Sequence, residues 1–167
     1  MSSLPIRRFP DPILKQPTRR VERIDDRIRR LIDAMVQTMR RQPRCVGLAA
    51  PQVGSGWRIA VIDATGHPKA AAGLGLLILV NPKIDAPEGM VLQREGCLSV
   101  PDFTGNVRRA SRVRLSALDR SGRPYEIRLD GFEAIVAQHE VDHLDGRLFL
   151  DRVENVTTDV FRRKTYL

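Results

Sequence analysis

Residues 138–143 read Gln-His-Glu-Val-Asp-His, and two histidines at that spacing can act together only if the chain between them is a turn of α-helix. Four residues of helix rise ~6 Å and return to nearly the same face, so both imidazoles can point at one metal ion. The surrounding segment carries the signals such a helix needs. Asp130 can cap it, Glu133 completes a capping-box arrangement, Phe132, Ile135 and Val136 offer an apolar face toward a sheet, and Gly146 marks the stop. Glu140 lies between the two histidines, where a carboxylate can accept a proton from water on a metal, and for that reason the spacing marks hydrolases. The chain has 3 histidines; His139 and His143 are candidate ligands, and His67, in a turn-like segment, is expected to be ordinary. The bland alternative, two surface histidines on a capped helix, leaves Glu140 unexplained.

Before that helix the pattern changes twice. Pro5, Pro10, Pro12 and Pro17 make the first stretch extended and loop-like. Val21, Ile24, Ile28, Leu31, Ile32, Met35, Val36 and Met39 then recur at helical spacing, with Asp25 or Asp26 able to cap the start, and predict one amphipathic helix near the N-terminus. From Trp57 the chain turns to short β-rich segments, WRIAVID and LLILV, closed by Thr65-Gly66 and Asn81-Pro82. Val113, Leu115 and Ala117, then Tyr125, Ile127 and Leu129, alternate with polar neighbours around Arg120-Ser121-Gly122, which reads as a hairpin. The expected fold is α+β: mostly antiparallel sheets packed around a central helix that carries the H-E-x-x-H motif.

A chain of 167 residues with 42% hydrophobic and 29% charged residues can bury a core without a structural metal, and one domain over 1–167 is expected. The longest apolar run, Gly73 to Val80, is far short of the ~18–20 residues a bilayer crossing needs, and the N-terminus lacks the apolar stretch of a signal peptide. No membrane association and a cytoplasmic location are therefore expected. A net charge of +8 attracts polyanions. No basic motif interleaved with aromatics is present, so no dedicated nucleic-acid site is expected.

Two imidazoles do not complete a catalytic site, which usually has three protein ligands and one open position. Downstream, Asp145, Asp151 and Glu154 are carboxylates near the helix end. Cys97, in Arg94-Glu95-Gly96-Cys97-Leu98-Ser99, is a better candidate, because a thiolate is a strong, soft ligand and Gly96 lets the backbone turn tightly. On the cysteine alone, a ligand and a small buried thiol are both supported.

Glu95-Gly96-Cys97-Leu98-Ser99 is similar to the EGCLS motif of peptide deformylases, and Gln138 to Gly146, QHEVDHLDG, resembles their QHExDHLxG motif. Val46-Gly47-Leu48-Ala49-Ala50-Pro51-Gln52 resembles most of their GxGLAAxQ motif, and Phe9 to Leu14 is similar to the segment that opens many members. The motifs fall in the family's order across nearly the whole chain. This resemblance implies that Cys97, His139 and His143 bind one divalent metal, usually Fe(II), with Zn, Ni or Co able to substitute. It implies Glu140 as general acid/base, and the Gln52 side-chain amide and Leu98 backbone N–H as donors to the oxygen that gains charge. The substrate would be the formyl-methionyl end of nascent peptides, lying along Val46, Gly47, Glu95 and Gly96. Phe132, Ile135 and Val136 are candidates for the methionine pocket, or for plain helix-to-sheet packing.

Two departures stand out. Cys45 replaces the first glycine of GxGLAAxQ, and Thr104 falls where many members have an arginine facing the peptide, so weaker affinity or altered preference is expected. The basic end Phe161-Arg162-Arg163-Lys164 reads as solvated, with a ribosome contact as the alternative. Two other functional classes share parts of the pattern: an H-E-x-x-H zinc peptidase, with its third ligand after the helix, and a non-catalytic, metal-stabilised domain that binds RNA or the ribosome.

Overall fold

Asp25 accepts from the Ile28 backbone N–H at 3.0 Å and so starts a helix, α1, over Asp26–Arg41 in the computed structural model, which describes residues 3–71 and 73–164. Ile28, Ile32, Met35, Val36 and Met39 form its buried stripe, the face the periodicity predicts. There follow β1 (Gly47–Ala49), β2 (Ile59–Ile62), β3 (Leu77–Glu88), β4 (Val91–Cys97), β5 (Val100–Arg109), β6 (Arg112–Leu118) and β7 (Pro124–Asp130). Helix α2 (Gly131–Leu144), a short α3 (Val156–Asp159) and β8 (Val160–Arg162) complete the chain. The strands form two antiparallel sheets, β1-β2-β3-β6-β7 and β4-β5-β8.

Strand β2 is buried on both faces, and its alternation explains the layering. Ile59 and Val61 pack with the stripe of α1, whereas Ala60 and Ile62 pack with Ala134, Val136, Ala137 and Leu144 of α2. The larger sheet thus has α1 on one face and α2 on the other, as period-two side chains require. Cys97, Val100 and Val107 of the smaller sheet close on Leu14, Leu148 and Phe149 in a separate cluster. Among the described residues no helix is long and apolar enough to cross a membrane.

Three local expectations fail, each for a tertiary reason. Asn81-Pro82 does not close its strand; β3 runs through it with a shifted register. There Asn81 takes φ 54°, accepts from Val21 N–H at 2.8 Å and donates to Val21 C=O at 2.8 Å, so the pair makes a bulge instead of a turn. Asp130 precedes α2 without capping it, because its carboxylate is bonded to Arg112 across the β6–β7 ladder, and Glu133 is buried with one oxygen unpartnered. The basic C-terminal segment is not simply solvated: β8 adds to the edge of β5, pairing Phe161 with Thr104.

Candidate active site

Helix α2 aims both imidazoles at the last residues of β4. The rings of His139 and His143 are 5.0 Å apart at 75°, and Cys97 Sγ is 3.3 Å from His143 Nε2. One ligand atom from each of the three residues lies within 4.8 Å of the others. The alternatives for a third ligand are engaged elsewhere: Asp145 pairs with Arg58, Asp151 with Lys15 and Glu154 with Arg108. One sulfur and two imidazoles, with Cys97 and His139 lining a cavity and His143 buried, fit a divalent transition-metal ion.

A buried ionic network orients this set. His139 Nδ1 lies 2.7 Å from Glu95 Oε1, which directs its Nε2 toward the cysteine, an arrangement common behind ligating histidines. Arg109, only 4% exposed, donates to both oxygens of Glu95 at 2.7 and 2.9 Å and to Asp142 at 2.6 Å, and Arg152 adds a second cation to Asp142. Burial alone would raise the Glu95 carboxyl, but the Arg109 and His139 bonds outweigh it and hold it down at about 2. Both of its oxygens are bonded, so Glu95, expected along the peptide, lines the cavity and is also the partner of His139. Burial likewise opposes ionisation of Cys97, yet the two imidazoles hold its thiol well below the usual range.

Glu140 has the opposite environment. It is 4% exposed, one of its oxygens has no hydrogen-bond partner, and burial holds its carboxyl above the usual carboxylate range despite the nearby histidines. A carboxylate so placed is ready to take up a proton. Gln52 is fixed through its other end: Oε1 accepts from Ala49 N–H at 2.9 Å, leaving Nε2 directed at Cys97 Sγ, 3.4 Å away, and Ser99 Oγ, 3.3 Å away.

Gln52, Glu95, Cys97, His139 and Glu140 line a cavity of about 330 Å³. Val46 and Gly47 on the β1 side, Gly96 and Leu98 on the β4 side, and Phe132, Ile135 and Val136 from α2 all line it. His67, expected to be ordinary, stacks on Phe132 with ring centroids 4.3 Å apart and forms part of the wall. Cys45 also lines the cavity; its thiol donates to Gly47 C=O at 3.1 Å and is pushed up to about 12, by burial first and then by Glu140. It is therefore a neutral thiol. The structure adds Arg109 and Asp142 behind the ligands and Arg163 on the cavity wall. Asp142, a third carboxylate on the helix besides Glu133 and Glu140, is the available signal for the network; no sequence feature marks Arg163.

A family model described as polypeptide deformylase matches residues 3–159. A peptide deformylase of Syntrophobacter fumaroxidans is 43% identical over 164 residues, covering 98% of this chain and 94% of the relative. One from Halothermothrix orenii is 47% identical over 156 residues, covering 93% and 97%. A crystal structure of the class I type b peptide deformylase from Acinetobacter baumannii, with Met-Ala-Ser bound, superposes with a TM-score of 0.85 at 37% identity, covering 91% of this chain and 99% of that one. With likeness of this depth running through every segment that builds the site, the chain belongs to the polypeptide deformylase family, hydrolases that take the N-terminal formyl group off nascent peptides.

Proposed function

We propose that this chain, as one cytoplasmic domain, deformylates formyl-methionyl peptides at the Cys97, His139 and His143 centre with Fe(II) as its working metal and Glu140 as its general acid/base. The observation that carries the reading is the unpartnered buried oxygen of Glu140 beside three convergent metal-binding atoms. A divalent cation held there supplies a Lewis acid that polarises the formyl oxygen and eases deprotonation of water. The mixed sulfur and nitrogen donor set suits Fe(II), and Zn, Ni or Co would also fit.

The cleft's walls support a peptide substrate. β1 ends one sheet and β4 ends the other, so an extended peptide between them can bond to backbone on both sides through Val46, Gly47 and Gly96 whatever its sequence. Phe132, Ile135 and Val136 give the methionine side chain an apolar recess, and the Met-Ala-Ser held by the Acinetobacter protein supports a methionine-led occupant. As water attacks the formyl carbon, Glu140 takes its proton, while Gln52 Nε2 and the Leu98 N–H donate to the oxygen that becomes negative. Glu140 then passes the proton to the leaving nitrogen, the C–N bond breaks, and formate and a free amine depart. A net charge of +8 supports work beside the ribosome, where such ends emerge.

Formate release from formyl-Met-Ala-Ser by Fe(II)-loaded protein in anaerobic buffer tests the reading. Glu140→Ala is expected to lower kcat by about 10²–10⁴-fold while its metal content stays unchanged. Undiminished turnover by the variant, or no formate from the wild type, contradicts it.

A further inference from the structure

The rim of the cleft carries cations that have no ionic partner among the described residues. Many arginines elsewhere are in ion pairs, among them Arg58, Arg108, Arg112, Arg114, Arg120 and Arg128. Arg44, Lys69, Arg94 and Arg163 line the cavity, and none has an ion pair among the described residues. Two of these four are held in place. Arg94 donates to Asn106 at 2.8 Å and lies 3.6 Å over the Phe161 ring. Arg163 follows β8 directly, tied by its N–H to Asp102 C=O at 2.8 Å, and its guanidinium occupies the space a side chain on Gly96 would fill, with the Thr104 methyl alongside. The basic tail thus delivers a cation to the cleft.

Strand alternation decides what this cation meets. Glu95 and Cys97 point toward α2, where they meet His139 and His143, so Arg94 and Gly96 point to the opposite face. A peptide extended beside β4, with its methionine turned toward Phe132 and Ile135, must turn its second side chain to the face of Arg94 and Arg163. We propose that Arg163, flanked by Arg94, forms a guanidinium subsite that selects formylated peptides whose second residue is acidic. This rests on the deformylase reading given above.

The test compares kcat/KM for formyl-Met-Glu-Ser, formyl-Met-Gln-Ser and formyl-Met-Lys-Ser. The Glu-to-Lys ratio cancels any general loss of active enzyme. In the wild type this ratio is expected to be about tenfold, the scale of one exposed attraction plus one exposed repulsion, and to shrink as salt is added. Arg163→Gln is expected to reduce it to about threefold or less, and Arg163→Lys to retain it. A ratio near one in the wild type with the Gln peptide turned over, a ratio unmoved by Arg163→Gln, or an equal loss in Arg163→Lys overturns the subsite alone. Absence of formate from all three peptides overturns the deformylase reading and the subsite with it.

Discussion

Gly47 and Glu140 meet more closely than any side chain on residue 47 would allow: a Cβ there would lie 2.5 Å from Glu140 Oε1. Gly47→Ala must displace either the carboxylate or the strand edge, and misplacement on the ångström scale costs about 10²-fold in rate. The expected outcome is a drop in kcat/KM on formyl-Met-Ala-Ser of that order with bound metal retained; an unchanged rate means that the carboxylate's position is not critical. At this scale the chemistry is legible in the sequence, because the H-E-x-x-H spacing has few uses besides a metal. Cys97 was not decidable from its own surroundings in the sequence, since a buried thiol and a ligand look alike until β4 is seen to end beside α2. His67 and Arg163 became visible only through contacts made by residues far away in the chain.

Between elements, Arg109 is the joint. It lies on β5 and bonds Glu95 on β4 and Asp142 on α2, all three nearly buried. Removing the guanidinium leaves buried Glu95 with only His139 and buried Asp142 with only Arg152 against its charge, at a cost of about 3–5 kcal/mol. Arg109→Met is accordingly expected to lose about that much stability in urea unfolding, and a loss below about 1 kcal/mol would mean that water replaces the guanidinium freely. Both long helices were readable from their period and their ends, α1 from its stripe and α2 from its stop near Gly146, which adopts φ 74°. The strands were less readable. β4 alternates between buried and exposed positions only weakly in composition, and β8 is three residues long; pairing partners, not propensity, make them strands. Asp130 shows the same limit, its capping chemistry spent on Arg112 once β6 and β7 pair.

For the whole molecule, the working site exists only because two sheets and one helix converge. Cys97 ends the edge strand of the smaller sheet, the histidines face it from α2, and Gln52 and Gly47 arrive from the edge of the larger sheet. The α+β class and the central helix were legible in the sequence. The cleft between two free strand edges was not, because it depends on which strands remain unpaired. X-ray absorption at the metal edge of Zn-loaded protein tests this convergence most directly. The account predicts one sulfur at about 2.3 Å and two imidazole nitrogens at about 2.0–2.1 Å, with the sulfur shell lost in Cys97→Ala. A wild-type spectrum of nitrogen and oxygen alone would contradict it.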